Sequence, residues 1–409
     1  MTPTNKQFRN QIMQRTRTGT AVEPLCPHVQ TCGGCAFQDR DYGDQIVAKS
    51  TALSQIWQAA ELPPSVAAPV LPIIVVPSPN PYHYRTRMDY VATKGRFGLR
   101  MRGRFNYVVE LETCHLIPPA AFAVAHTLWR ASQELALPDY NVRTHEGFLR
   151  YLVVRRSPQD TLLLVAVTAS GAYETEMEQL ATLALEQPGV QGFHWLLNET
   201  KTDLSFGTSL RRWGANNLPM QVGTNVLHVG PNSFFQNNVH LLLPLLNAVA
   251  GHVGNAESVI DLYGGVGTIA LHLAPQVESV VCIESFAESA ALARYNSALN
   301  HATNVKVMAE EVLSFLRRQL TARRSDLASR PYDVVIADPP RVGLGPEVCT
   351  ELLRLAPRRI VYISCNPLTQ IADLRQLGVA YQLTDLVGYD MFPHTPHIET
   401  LAVLDKMMR

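Results

Sequence analysis

The sequence predicts an α/β protein in which a parallel-rich, helix-wrapped sheet follows a β-rich α+β region. Three observations carry this. From about residue 236 the apolar runs VIDLY, VVCIE, DVVIAD and RIVYIS alternate with helical stretches such as HLLLPLLNAVAGHV and AESAALARYNSALN, the pattern of parallel strands joined by helical crossovers. The first of those runs leads into Gly264-Gly265-Val266-Gly267, a glycine turn of the kind that lets a backbone approach a ligand at the head of such a sheet. Between about residues 82 and 235, strand-forming runs such as 151–155 and 162–168 are separated by turn formers. With 409 residues, 46% of them hydrophobic, the chain has enough apolar material for two sizeable cores.

In chain order, residues 1–25 read as a mobile basic arm: Lys6, Arg9, Arg15 and Arg17 appear in the first twenty positions without an acid. This acid-poor start has a faint likeness to an organelle transit peptide but lacks a clear apolar face. Residues 26–235 read as the central domain. It opens on Cys26, Cys32 and Cys35, continues through a helix over about 44–60, and then meets seven prolines between Pro63 and Pro81. Prolines at that density force an extended connector, so 44–81 is a helix and a spacer. Residues 81–105 carry Arg85, Arg87, Lys94, Arg96, Arg100, Arg102 and Arg104 against one acid, Asp89, with five aromatics interleaved. Such a strip suits phosphates and stacked bases, although an ordinary solvated sheet face reads the same way. Residues 236–409 form the second domain. Formal net charge is zero, so the whole-chain balance does not point to nucleic acid.

No apolar run approaches the roughly 20 residues of a membrane helix, and no secretion signal opens the chain, so a cytoplasmic protein without a membrane partner is expected. No obligate protein partner is evident. Seven cysteines in such a protein are metal ligands, catalytic thiols or core residues rather than disulfides.

The glycine turn brings Tyr263, Gly265 and Thr268 to the end of a strand, and Glu284 ends the next strand about twenty residues on, where an acid commonly takes a ribose hydroxyl pair. A full G-x-G-x-x-G is absent. That favours a class I, Rossmann-like methyltransferase using S-adenosylmethionine over a dehydrogenase. Asp338-Pro339-Pro340-Arg341 follows DVVIAD; an aromatic in place of Arg341 would suit methylation of an exocyclic amine, and Arg341 disfavours it. Cys365 then follows RIVYIS, at the strand end where open α/β sheets do their chemistry. C5 of uracil is a poor nucleophile until a thiolate adds at C6, and a base must afterwards remove the C5 proton; Cys365 and Glu399 fit those two roles. Cys282 and Cys349 lack such neighbours and read as core residues. His394 and His397 read as loop-ordering groups rather than metal ligands.

Cys26, Cys32 and Cys35 form C-x5-C-x2-C, with Cys114 far downstream; spacing alone leaves zinc and an iron–sulfur cluster both open.

Taken together, the Asp338–Arg341 stretch, Ser364-Cys365-Asn366-Pro367, His394 to Glu399 and Ser233-Phe234-Phe235-Gln236-Asn237-Asn238 resemble the RNA uracil-5-methyltransferase family, most like its 23S ribosomal members. The resemblance spans most of residues 26–409. It implies Cys365 as nucleophile, Glu399 as base, and Gln236, Tyr263, Glu284 and Asp338 around the cofactor and target base, with Thr268 and Glu311 weaker carry-overs; Gly265 of the glycine turn joins them as a cofactor-binding candidate. It also implies a [4Fe–4S] cluster on Cys26, Cys32, Cys35 and Cys114. Ribosomal RNA is the first substrate expected and transfer RNA the second. A non-catalytic RNA-binding iron–sulfur protein is the rival from another class, and the intact Cys365–Glu399 pair argues against it. Many family members begin with a TRAM domain; the roughly 25 residues before Cys26 are too few for one.

Overall fold

A computed structural model describes residues 4–68, 70–325 and 332–408; residues 1–3 of the basic arm and Pro69 of the connector lie outside the described residues.

The expected mobile arm is a helix. Helix α1 (Asn5–Arg17) opens on a reciprocal capping box between Thr4 and Gln7, and Phe8, Ile12 and Thr16, four apart, form its buried stripe. That stripe packs on α2 (Tyr42–Ala59), which buries Ala52, Leu53, Ile56 and Trp57. Within the proline-rich connector, the short strand β1 (Val75–Val76) joins the edge of the C-terminal sheet in parallel, pairing with Gly388 and Tyr389. The expected arm and the helix expected to belong to the central domain therefore share a core with the C-terminal one: Phe8, Ile12, Leu53 and Trp57 lie in one apolar cluster with Tyr362 and Leu374. A connector rich in proline has few backbone donors and no structure of its own to hold it away.

The central domain is a seven-stranded sheet. Strands β2 (Arg87–Thr93), β3 (Arg96–Met101) and β4 (Arg104–Glu110) precede helix α3 (Pro119–Glu134); β5 (Leu149–Arg156) and β6 (Leu162–Thr168) follow. Helix α4 (Glu174–Glu186) crosses to β7 (Val190–Leu197), parallel to β6, and β8 (Thr208–Gly214) closes the order β4-β3-β2-β5-β6-β7-β8. One sheet face buries Tyr90, Leu152, Val154 and Leu164 under α3 and α4, while the alternate residues Val91, Val153 and Val165 pack on the other face.

A hairpin, β9 (Leu218–Val222) with β10 (Asn225–Val229), leads to α5 (Leu242–Val253) and the second sheet. Its elements are β11 (Ser258–Leu262), α6 (Thr268–Leu273), β12 (Ser279–Glu284), α7 (Ala287–Leu299), β13 (Val305–Ala309), α8 (Val312–Ser325), β14 (Val334–Ala337), α9 (Gly345–Leu355), β15 (Arg359–Ser364), α10 (Pro367–Leu377), β16 (Tyr381–Tyr389) and β17 (Glu399–Lys406). The strand order is β1-β16-β17-β15-β14-β11-β12-β13, with β17 antiparallel to both neighbours and β11 to β15 all parallel. This is the class I methyltransferase arrangement that the sequence predicted.

Two features of that order position the site. The order reverses between β11 and β14, and at such a switch point the loops beyond the strand ends diverge and leave a crevice. Leu262 pairs with Ala337, so the glycine turn and Asp338 emerge side by side. Ser364 pairs with Thr400, so Cys365 and Glu399, each one residue beyond that pair, are set against each other.

No helix among the described residues is long and apolar enough to cross a membrane.

Candidate active site

The crevice at the switch point is floored by Tyr263, Gly265 and Thr268 and roofed by Phe234 and Gln236. Tyr263 (φ 63°) and Gly265 (φ 56°) both take left-handed backbone conformations, which lifts the turn away from the sheet. A Cβ on Gly265 would meet nothing within 4 Å, because that face opens into the crevice. Glu284, at the end of β12, accepts from Gly265 N at 2.9 Å and from Phe286 N at 2.7 Å, so its carboxylate is fixed at the rim. Gln236 Nε2 donates to Asp338 Oδ2 at 3.0 Å. The backbone around Gln236 is held from the other side: Thr86 Oγ1 donates to Gln236 O at 3.0 Å, and Thr86 N donates to Asn237 O at 3.0 Å. An apolar slot with a fixed carboxylate at one end and an amide–carboxyl pair at the other fits a nucleoside carrying a charged, partly apolar tail. Burial, then the nearby Asp373 and Cys349, and least of all Glu311 hold the Tyr263 hydroxyl proton more firmly than usual.

The second half of the site is Cys365. Asn366 Nδ2 donates to Arg341 O at 2.9 Å, tying the loop after β15 to the loop after β14. Burial pushes the Cys365 thiol up to about 11, the Glu399 carboxyl adds to that, and the Arg341 guanidinium opposes it. Glu399 is buried and holds its proton far above the usual carboxylate range, because of burial and then the charge of Asp338. Asp338 is itself raised to about 7 by burial, against the hydrogen bond from Gln236. Three acidic groups thus crowd one place with few cations. Such a cluster keeps its protons until something changes its surroundings.

The loop between β16 and β17 that leads to Glu399 is pinned by the N-terminal segment. Lys49 Nζ lies 2.5 Å from Asp390 Oδ1, with both side chains fully buried, and Tyr42 OH donates to Asp390 Oδ2 at 3.0 Å. Gln45 Nε2 lies 3.2 Å from His394 Nδ1, and Ala36 N donates to His394 O at 2.6 Å. Burial holds His394 and His397 down at about 3, so both rings are neutral. Sequence reasoning missed this buttress and missed α1. The signals were present in the Thr4/Gln7 capping pattern and in a lysine, Lys49, at a helix position that faces inward.

The expected cluster ligands are a correction. Cys26, Cys32, Cys35 and Cys114 are buried free thiols. They lie near enough to hinder one another's ionisation, with burial the larger cause. Yet among the described residues no three His, Cys, Asp or Glu side chains group so as to hold a metal ion. The [4Fe–4S] assignment, and the zinc alternative with it, does not fit this arrangement. Cys32, Cys35 and Cys114 instead join Tyr90, Phe97 and Leu116 in the central core, and the side-chain amide of Gln38 donates to Cys35 Sγ at 3.2 Å. Cys282 and Cys349 are fully buried core residues.

The family model described as tRNA (Uracil-5-)-methyltransferase matches residues 213–407. A tRNA (uracil(54)-C(5))-methyltransferase of Pyrococcus abyssi is 30% identical over 384 residues, covering 94% of this chain and 86% of that protein. The chain belongs to the RNA (uracil-5-)-methyltransferase family. An uncharacterized RNA methyltransferase of Nitratidesulfovibrio vulgaris is 33% identical over 403 residues, covering 95% and 84%. The crystal structure of the Pyrococcus abyssi tRNA (uracil-54, C5)-methyltransferase in complex with S-adenosyl-L-homocysteine superposes with a TM-score of 0.74 at 28% identity, covering 91% of this chain and 86% of that one. This protein is an RNA (uracil-5-)-methyltransferase. The Pyrococcus abyssi relative, and one from Pyrococcus horikoshii at 30% identity over 383 residues, carry the name tRNA (uracil(54)-C(5))-methyltransferase, and that overturns the expectation of a 23S ribosomal enzyme.

Proposed function

We propose that this methyltransferase converts uridine-54 of transfer RNA to 5-methyluridine with S-adenosylmethionine as methyl donor. The observation that carries the reading is the pairing of Cys365 with Glu399 across the ends of β15 and β17, beside the crevice that holds Asp338 and Gln236. Transfer RNA is preferred over ribosomal RNA because relatives with that named substrate align along nearly the whole chain.

S-adenosylmethionine, bound along the crevice, supplies an electrophilic methyl group. Tyr263, Gly265 and Thr268, which line the crevice, would hold its nucleoside end, and the Glu284 carboxylate fixed on Gly265 would take the ribose. The Cys365 sulfur, as thiolate, adds to C6 of the uracil ring, and the displaced electron pair passes to the ring's O4 as an enolate. Asp338, holding its proton near neutral pH, donates a hydrogen bond to the ring edge as that charge develops. C5, now nucleophilic, takes the methyl group. The carboxylate of Glu399 then removes the remaining C5 proton, the C5–C6 double bond reforms, and the bond from C6 to Sγ breaks to release the thiolate. A base buried in the duplex or the tertiary core of an RNA cannot reach this thiol, so the target uridine leaves its stack.

The test uses transfer RNA and ribosomal RNA that both lack 5-methyluridine, with labelled S-adenosylmethionine and nucleoside mass spectrometry. 5-Methyluridine mapped to position 54 of transfer RNA, absent with Cys365→Ala while cofactor still binds, is the expected result. Product in ribosomal RNA alone would sink the substrate assignment.

A further inference from the structure

Cys365 opens into a small recess with two walls. Arg341 and His397 stand on one, and Asn5, Phe8 and Arg9 of α1 stand on the other. Phe8 is buried and fixes the helix there, so the position of Arg9, one residue on, is set by the fold rather than by a free tail. The two guanidinium groups of Arg9 and Arg341 approach each other closely enough to repel. Arg9 Nε donates only to the carbonyl of Asn5, at 3.3 Å within its own helix. Arg341 Nη2 meets only the neutral ring of His397, at 3.4 Å. Among the described residues, no carboxylate within ion-pair distance of either group is seen.

Two like charges brought together without a counterion are unfavourable unless an anion arrives between them. Cys365 lines the same recess, so a nucleotide that reaches the thiol from this side brings its backbone phosphate between the two walls. Arginine presents a planar fork of donors that matches a phosphate.

We propose that Arg9 of the N-terminal helix is a substrate-binding residue that, facing Arg341, clamps a backbone phosphate of the nucleotide delivered to Cys365. This inference rests on the RNA methylation reading above and assigns it a contact from outside the catalytic domain. Lys6 of the same helix does not line the recess, so it serves as the internal control.

The test compares wild type with Arg9→Glu, Arg9→Lys and Lys6→Glu in steady-state methylation of a transfer RNA transcript at several salt concentrations. Arg9→Glu is expected to raise KM for the RNA by about tenfold or more, with kcat and cofactor affinity little changed. It should also flatten the plot of log(kcat/KM) against log salt by about one. Arg9→Lys should recover much of the loss, and Lys6→Glu should fall far short of it. An unchanged KM and salt slope in Arg9→Glu, with wild type active, would overturn the clamp. So would a fall in kcat alone, which would place Arg9 on the chemical step. Absence of methyl transfer by the wild type to any transfer or ribosomal RNA would instead overturn the functional reading on which the clamp rests.

Discussion

Burial and the neighbouring Glu399 carboxyl hold the thiol of Cys365, the proposed nucleophile, in the protonated form. With the thiol near 11, the thiolate fraction below that value rises about tenfold per pH unit. kcat/KM for RNA should therefore climb steeply between pH 7 and 9, and a flat profile would mean that RNA binding itself lowers the thiol before the chemical step. Glu399 shifts in the same direction, since its raised value means that alkaline conditions favour the base form. Glu399→Gln should stall the reaction after methyl transfer and leave a protein–RNA adduct that survives denaturing electrophoresis; an adduct-free variant on a good substrate would contradict the role of Glu399. The placement of these residues at strand ends was legible because each sits beside a run with its own local signature. Their protonation was not, because it depends on Asp338, Arg341 and burial, which come from segments dozens of residues apart.

The elements were legible where periodicity was strong. The helices after the glycine turn, the strands RIVYIS and DVVIAD, and the strand at 162–168 all lie within a residue or so of expectation. Helix α1 escaped notice because its buried stripe holds only Phe8, Ile12 and Thr16 among charged and polar neighbours. Helix α2 was found, but not its purpose. Its Lys49 holds Asp390 in a fully buried pair and so fixes the loop that ends in Glu399. Lys49→Ala would strand a buried carboxylate and should cost about 3–5 kcal/mol, whereas Lys49→Met with Asp390→Asn should cost much less. Chemical denaturation of the single and double variants measures the difference. Equal losses would show that packing rather than charge makes the contact matter.

For the whole molecule, the sequence separated a β-rich region from a Rossmann-like one but misjudged where α1, α2 and β1 belong. The information was long-range: nothing near Val75 announces that it will pair with Gly388. The substrate was illegible for a different reason, since the same thiol and carboxyl serve uracil in either RNA. The cysteine spacing misled because thiols that converge in a core carry the same signature as thiols that hold a metal. One consequence of the shared core is measurable. A fragment of residues 213–408, close to the span of the family model, would lose the cover of Leu53, Ile56 and Trp57 over Leu374 and Tyr381. It is expected to aggregate or elute as a swollen species, and a folded monomer would show that α1 and α2 are dispensable for the core.

The hydrogen bonds from Tyr42 and Gln45 to Asp390 and His394 span more than 340 positions of sequence. A ribosome makes the first partners more than 340 residues before the second. The loop that carries Glu399 toward Cys365 therefore cannot take its final shape until both ends of those contacts have been made. A chain that stops before Asp390 lacks Glu399, lacks β17 between β15 and β16, and leaves Lys49 buried against nothing. Such a product is one for the cell's proteases to clear, so synthesis through β17 is built into the conditions for methylation.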